Sequence, residues 1–188
     1  MFNEKIVAID DGSFNFKDRK GKALIILTLF YNAFIEKIKL GRITIDGLDS
    51  TEVIIDLLKD LDFDIIMLNS ITLAGFNIID VERIKELYKK PIIIVVKEKP
   101  NNKAVKEALK KHFKDWEYRW SLIRKLGKIY KAKTMENQPP LYFETSLNPK
   151  LAIKIMKHYC LTCRIPEPLR VTRLIARKLS PIFNKFIT

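Results

Sequence analysis

The stretch Ile6-Val7-Ala8-Ile9-Asp10-Asp11 is an apolar run that ends in two acids. Two other apolar runs end in a similar way, since residues 43–45 precede an acid and residues 65–68 precede an amide. Such runs predict buried strands, and strand ends can bring polar groups together along one edge of a sheet. Clustered carboxylates repel one another, which raises their pKa values unless a divalent cation lies between them. The candidate residues of this edge are Asp10, Asp11, Asp46, Asp49 and Asn69.

The first 96 residues predict a mixed α/β sheet. Three consecutive stretches rich in Ile, Leu, Phe and Thr predict strands with short links, which form an antiparallel meander. The spacing of Asp49 and Glu52 is that of a capping box and predicts a helix start. The order β-β-β-α-β-α-β then makes the later strands parallel through crossover connections. The predicted strands are residues 4–9, 22–33, 36–45, 63–68 and 92–96, and the predicted helices are 49–61 and 78–89.

Beyond residue 96 the pattern predicts extra strands and helices around this five-stranded sheet. Neither a linker nor an internal repeat interrupts the chain, so we expect a single domain over residues 1–188. The predicted C-terminal elements are helices over residues 103–114, 116–125, 149–159 and 168–179, with strands over 128–133 and 141–145.

Charge is distributed unevenly along the chain, whose formal net charge is +13. Residues 1–80 carry 9 Lys/Arg and 13 Asp/Glu, whereas residues 81–188 carry 26 and 9. This asymmetry favours a polyanionic partner, with nucleic acid ahead of a membrane surface. The alternative is a thermophile-like surface on which the lysines are only solvated. No apolar run approaches the roughly 20 residues that span a bilayer, and the N-terminus does not resemble a signal peptide, so we expect a cytoplasmic protein.

The segment 103–133 is the most basic part of the chain, with 11 Lys/Arg and three acids among several aromatic residues. Basic side chains contact phosphates, and aromatic rings can stack on unpaired bases. Trp116 and Trp120 also have the spacing of a buried helix stripe, which is the commoner role for tryptophan. The residues expected to contact phosphate are Lys110, Lys111, Arg119, Arg124 and Lys125.

Several short motifs have a structural alternative to a functional role. Asp11 precedes Gly12 and could belong only to a turn, and Asp49 could only cap a helix. Asn77 and Asp80 have the spacing of another helix start. The Cys160–Cys163 pair could bind metal or be redox-active, but its ligand count falls short of a closed zinc site and two buried thiols are the favoured interpretation.

Four blocks of sequence, taken together, resemble a known family. Residues 9–12 (IDDG), 46–52 (DGLDSTE), 74–80 (AGFNIID) and 166–170 (PEPLR) resemble the signature blocks of the archaeal endonuclease dU family, which is related to endonuclease V. The resemblance covers nearly the whole chain. It implies a ribonuclease H-like fold and metal-dependent cleavage of DNA near a deaminated base, uracil or hypoxanthine, with Mg²⁺ or Mn²⁺ as cofactor.

The resemblance also assigns roles to individual acids. Asp10 matches the first-strand catalytic aspartate of endonuclease V, and Asp46 or Asp49 lies where that enzyme has its second acid. Asn69 stands where endonuclease V has an aspartate. An asparagine can coordinate a hard cation through its carbonyl oxygen but adds no charge, so metal binding is weakened unless Asp11 or Asp80 supplies the missing acid. We expect Asp10 and Asp46 to bind the metal.

Two other functions remain open at this point. A non-catalytic nucleic-acid-binding protein could have the same fold, because positive charge alone suffices for non-specific binding. An RNA-directed nuclease would share the site, although the resemblance favours DNA over RNA. The sequence leaves the oligomeric state open.

Overall fold

A computed structural model describes residues 3–14, 21–32 and 34–185. Residue 33, at the end of the second predicted strand, lies outside these ranges. The strands are β1 (Lys5–Asp11), β2 (Lys22–Tyr31), β3 (Phe34–Thr44), β4 (Ile65–Leu68), β5 (Thr72–Leu73), β6 (Asn77–Ile78), β7 (Ile92–Val96), β8 (Tyr130–Ala132) and β9 (Leu141–Thr145). The helices are α1 (Ser50–Leu58), α2 (Val81–Tyr88), α3 (Asn102–His112), α4 (Trp116–Arg124), α5 (Pro149–His158) and α6 (Glu167–Lys185).

Seven of these strands form one mixed sheet in the order β3-β2-β1-β4-β7-β9-β8. The meander β1-β2-β3 is antiparallel, and β1, β4 and β7 are parallel neighbours. This confirms the predicted ribonuclease H-like order, with the first strand between the second and the fourth. The two C-terminal strands extend the same sheet, because β9 pairs antiparallel with the otherwise open edge of β7.

Both faces of the sheet are covered by helices. Along β1, Val7 and Ile9 pack with the buried residues of α1 to α4, whereas Ile6 and Ala8 pack with those of α5 and the start of α6. This alternation follows from the period of two in a strand. None of the helices built by the described residues is long and apolar enough to cross a membrane.

Helix α6 packs closely against β1 and β2. Its Thr172 hydroxyl contacts the hydroxyl of Thr28, and both side chains are fully buried. A Cβ atom on Gly12 would lie only 1.8 Å from the Ser180 hydroxyl oxygen, so a glycine allows the chain after β1 to approach the helix. The C-terminal helix therefore lies directly beside the strand that ends in Asp10 and Asp11.

The start of α1 corrects one prediction. Asp49 occupies the N-cap position, but its side chain makes no capping hydrogen bond. Asn77 caps α1 instead, since its Oδ1 accepts from the Ser50 N–H at 3.0 Å. Asp80 caps α2 by accepting from the Arg83 N–H. The predicted capping box at Asp49 is therefore wrong. Asn77, which was predicted to start α2, instead caps α1, whose residue Ser50 lies 27 residues earlier in the chain.

A short hairpin, β5-β6, follows β4 and encloses the predicted turn. Its loop contains Ala74 at φ 41° and Gly75 at φ 88°, both in the left-handed region. That conformation strains an alanine, and strain of this kind concentrates at functional sites. We call residues 74–76 the site turn, because it contacts two of the candidate acids.

Candidate active site

Asp10 lies at the end of β1 and is only 5% exposed. Its Oδ2 accepts from the Asn69 amide at 2.8 Å, and its Oδ1 accepts from the Asp11 N–H at 3.1 Å. Burial and the neighbouring Asp11 charge raise the pKa of Asp10 to about 7, against the opposing influence of Arg173 and the Asn69 amide. The predicted meeting of Asp10 and Asn69 is confirmed, because they follow parallel neighbouring strands.

Asp11 is the second carboxylate of the same strand end. Its Oδ2 accepts from the Ala74 N–H at 2.5 Å, so it is attached to the site turn and is more than part of a local loop. Burial raises the pKa of Asp11 as well, and the positive charge of Arg173 on α6 lowers the pKa of both acids. Arg173 was not predicted from the sequence. It lies one helical turn after Leu169, whose carbonyl accepts from Asn69.

Asp46 reaches the same turn from the end of β3. Its Oδ1 accepts from the Phe76 N–H at 2.9 Å, and its N–H donates to the Ala74 carbonyl. Asp46 itself has φ 54°, and a Cβ atom on Gly75 would lie 2.2 Å from its Oδ1. Glycine is therefore required at that position. The site turn thus contacts Asp11 at one end and Asp46 at the other.

Arg119 has a different environment from the one that the sequence analysis predicted. It is 5% exposed, and its guanidinium donates to the carbonyl oxygens of Asp46, Gly47 and Phe76 at 2.6–2.9 Å. Its Nε donates to the Asp115 carboxylate, and the group stacks over a phenylalanine ring. These contacts occupy the donors that a phosphate would need. The predicted phosphate contact of Arg119 is therefore wrong.

Asp49 is directed to the end of β3. Its carboxylate accepts from the N–H and hydroxyl of Thr44, from the Asn77 amide and from Lys22. Although burial opposes it, this set of donors lowers the pKa of Asp49 to about 2. Asp46, and not Asp49, contacts the site turn, so of the two candidates for the second acid the geometry favours Asp46.

We expect the Asp49→Asn protein to be less stable by about 1–2 kcal/mol, because charge-assisted hydrogen bonds are lost from a one-third exposed carboxylate. The folded-state pKa lies below the ordinary value of 3.8, so the carboxylate stabilises the protein above pH 3.8 and loses this effect as the pH falls towards 2. Urea unfolding of both proteins between pH 2 and pH 7 measures this difference in the free energy of unfolding. A variant with wild-type stability but a hundredfold loss of activity would instead assign Asp49 to the chemistry.

The other predicted phosphate contacts lie on accessible surface. Lys111 and Arg124 are exposed. The ammonium of Lys110 pairs with Glu107, and that of Lys125 pairs with Asp80. Surface pairs of this kind contribute little and exchange readily for a phosphate. Phosphate binding by Lys110, Lys111, Arg124 and Lys125 therefore stays a prediction.

The structure also contains a cavity of about 530 Å³, which none of the four candidate acids lines. It starts at Ser70, the neighbour of Asn69, and continues between β7, α3, α4 and β9. Its walls are mainly apolar and include Trp120 and Phe143. Trp116 and Trp120 both pack on the core of the sheet, as their spacing predicted, while Trp120 also faces the cavity.

Cys160 and Cys163 make local contacts after α5. Their thiols lie near the carbonyl oxygens of Arg164 and Ile165, at 3.1 and 3.7 Å. Burial raises the pKa of Cys160 to about 11, which favours the unreactive thiol. The favoured interpretation as two structural thiols agrees with these contacts.

The acids at the end of β1 have the chemistry of a magnesium site. Asp10 and Asp11 supply hard oxygen ligands, and a cation would offset the raised pKa values that burial causes. Within residues 3–14, 21–32 and 34–185, no three Asp, Glu, His or Cys side chains are arranged to hold a metal together. Magnesium is commonly bound by one or two carboxylates, with water and substrate phosphate completing its shell. The residues present fit a cation of that kind.

The strand order and the acid pair at the end of β1 define a ribonuclease H-like nuclease fold. The structure superimposes on the catalytic domain of human endonuclease V with a TM-score of 0.62 and 13% identity, covering 98% of this chain and 84% of that one. Endonuclease V of Ciona intestinalis, in complex with DNA containing an inosine, gives a TM-score of 0.56 at 15% identity and covers 99% and 88%. These likenesses concern the fold.

Sequence comparison is more specific. The model of the endonuclease dU family matches residues 3–180, and the chain belongs to that family. It is 37% identical over 181 residues to a UPF0215 protein of Methanosarcina mazei, covering 92% of this chain and 88% of that protein. A structure from Archaeoglobus fulgidus has a TM-score of 0.80 at 28% identity and covers 92% and 96%. Family and fold together support a nuclease role.

Proposed function

We propose that the protein is a divalent-metal-dependent endonuclease that cleaves DNA near a deaminated base. The observation that carries the proposal is the pair of buried Asp10 and half-buried Asp11 at a strand end, with Asp46 in contact with the same site turn as Asp11 and a strongly basic second half of the chain. Burial raises the pKa of both carboxylates, and the Asp11 charge raises that of Asp10 further, so the folded structure disfavours charge at this strand end. Their use as cation ligands beside a phosphate accounts for the arrangement.

Each residue of the site has a distinct task in this proposal. Asp10 and Asp11 would hold the cation, and Asp46, which accepts from the Phe76 N–H of the site turn, would add negative charge from the end of β3. A bound cation would activate water and stabilise charge on the phosphate. Asn69 orients the Asp10 carboxylate through its amide, and Arg173 adds positive charge on the α6 side. The exposed lysines of α3 would contact the DNA backbone.

The cavity next to Asn69 supports action near a modified base. Enzymes that act on a base extrude it from the stack into a pocket, where aromatic and apolar side chains cover its faces. The cavity has apolar walls and a tryptophan, and its volume of about 530 Å³ is typical of ligand pockets. A deaminated base leaves the duplex at lower cost because its pairing is already weakened.

A gel cleavage assay tests the proposal directly. Labelled single-stranded and duplex DNA, each with one uracil, hypoxanthine or normal base, would be incubated with Mg²⁺, Mn²⁺ or EDTA. We expect a nick at a fixed offset from a deaminated base that EDTA abolishes. RNA of the same sequence tests the RNA-directed alternative. Salt-sensitive binding without cleavage of any substrate in either metal would contradict the proposal.

One observation favours a second function, a nucleic-acid-binding protein without catalysis. Asn69 stands where a third acid would attract a cation, and its amide donates to the Asp10 carboxylate. This hydrogen bond stabilises the site in part without metal. A melting temperature that does not respond to Mg²⁺ would favour this alternative, because a ligand that binds only the folded state raises it.

A further inference from the structure

The cavity that starts at Ser70 also contains a partly buried carboxylate. Glu144 on β9 lines the apolar wall and is partly buried. Across the part of the chain that the structure describes, no lysine or arginine forms an ion pair with it. Burial raises the pKa of Glu144 above its ordinary value, while the Gly127 N–H and the more distant charge of Lys85 oppose this rise. Burying a carboxylate with so little compensation is costly, so a hydrogen-bond donor from a ligand would complete the site.

The chemistry of deamination supplies such a donor. Cytosine presents an acceptor at ring nitrogen N3, and its deamination product uracil presents an N3–H donor. Adenine and hypoxanthine differ in the same way at N1. A carboxylate accepts hydrogen bonds and cannot donate, so it attracts the deaminated base and repels the lone pair of the parent base.

We propose that Glu144 is a specificity-determining residue whose carboxylate accepts the ring N–H of a deaminated base bound in the cavity. The inference rests on the proposed function and names the group that separates the lesion from its parent base. Trp120 lies in the same wall and can cover one face of a planar ring. Thymine and guanine also present a ring N–H, but their intact pairing keeps them in the duplex.

The test measures binding without metal, so that recognition is separated from cleavage. Fluorescence anisotropy in EDTA gives the dissociation constants of single-stranded oligonucleotides with uracil or cytosine at one position. We expect the wild-type protein to bind the uracil oligonucleotide more tightly than the cytosine one. In the Glu144→Gln protein the ratio of the two dissociation constants should fall about tenfold, because glutamine can also donate to cytosine. Glu117→Gln is the matched control, since Glu117 is exposed on α4 and does not line the cavity.

A second probe needs no substitution and covers the case in which Glu144→Gln unfolds. An oligonucleotide with N3-methyluracil lacks the donor, and we expect the wild-type protein to bind it as weakly as cytosine. An unchanged uracil preference in the folded Glu144→Gln protein, or equal wild-type binding of uracil and cytosine, would overturn the inference. A wild-type protein that prefers uracil but never cleaves would support the inference and refute the endonuclease.

Discussion

The Asp10→Asn protein is expected to cleave DNA about 10³-fold more slowly than the wild-type protein, because it lacks the charge that holds and polarises the cation. Asparagine matches aspartate in size, so the strand end should keep its shape. Cleavage rates at saturating Mg²⁺ and Mn²⁺ measure the effect. Asp56→Asn is the matched control, since that carboxylate is exposed on α1 and its loss should leave the rate unchanged.

The same variant has a second, metal-free signature. Burial raises the pKa of Asp10 to about 7 in the folded protein, so the folded state binds a proton more tightly than the unfolded chain. In EDTA, the free energy of unfolding of the wild-type protein should therefore fall as the pH rises from about 4 to 7. The Asp10→Asn protein should lack this decrease. Equal pH dependence in the two proteins would contradict the burial argument, and wild-type cleavage by the variant would refute the proposed role of Asp10.

The meeting of Asp10 and Asn69 was predictable because it depends only on strand order. An apolar run that ends in a polar residue indicates a buried strand, and a crossover connection makes the next strand parallel. Both strand ends then lie on one edge of the sheet. The burial of Asp10 follows from the same pattern, since β1 is central and both its faces are covered.

Contacts between distant loops were not predictable from local spacing. Asp49 has the sequence signature of a helix cap, but its oxygens are taken by Thr44 and Asn77. Those contacts exist only because β6 lies against the start of α1. Arg173 was missed for a similar reason, since a helix 160 residues after β1 in the chain brings it to the acids. Charge counts identified a basic half of the chain but not which basic side chain faces the acids.

The contacts of Arg119 show most clearly why amino-acid composition was insufficient to predict which basic side chains contact phosphate. Its acceptors are backbone carbonyls 43 to 73 residues earlier in the chain, and no sequence pattern reports them. The guanidinium joins the carbonyl oxygens of Asp46 and Gly47 to that of Phe76 on the site turn. It therefore acts from within the fold, where it holds together the two segments that place the Asp46 carboxylate.

We expect the Arg119→Met protein to be less stable by about 3 kcal/mol, because three buried carbonyl oxygens lose their donor. For a chain of this length that corresponds to a melting temperature lower by roughly 6–12 °C. Arg119→Lys should recover little of the loss, since a single ammonium cannot reproduce the planar fork of donors. Differential scanning calorimetry at pH 7 in EDTA measures the change without any contribution from a bound cation.

Arg124→Met is the matched control for this prediction, because it makes the same substitution on the same helix at an exposed position. Its stability should stay within about 0.5 kcal/mol of wild type. Amide exchange adds a local measurement, since the Phe76 N–H donates to Asp46 and should exchange faster in the Arg119→Lys protein. If Arg119→Met melts at the same temperature as Arg124→Met, and the Phe76 N–H of Arg119→Lys exchanges as slowly as in the wild type, the guanidinium does not hold this turn. Arg119 would then be free to serve the phosphate contact that its hydrogen bonds argue against.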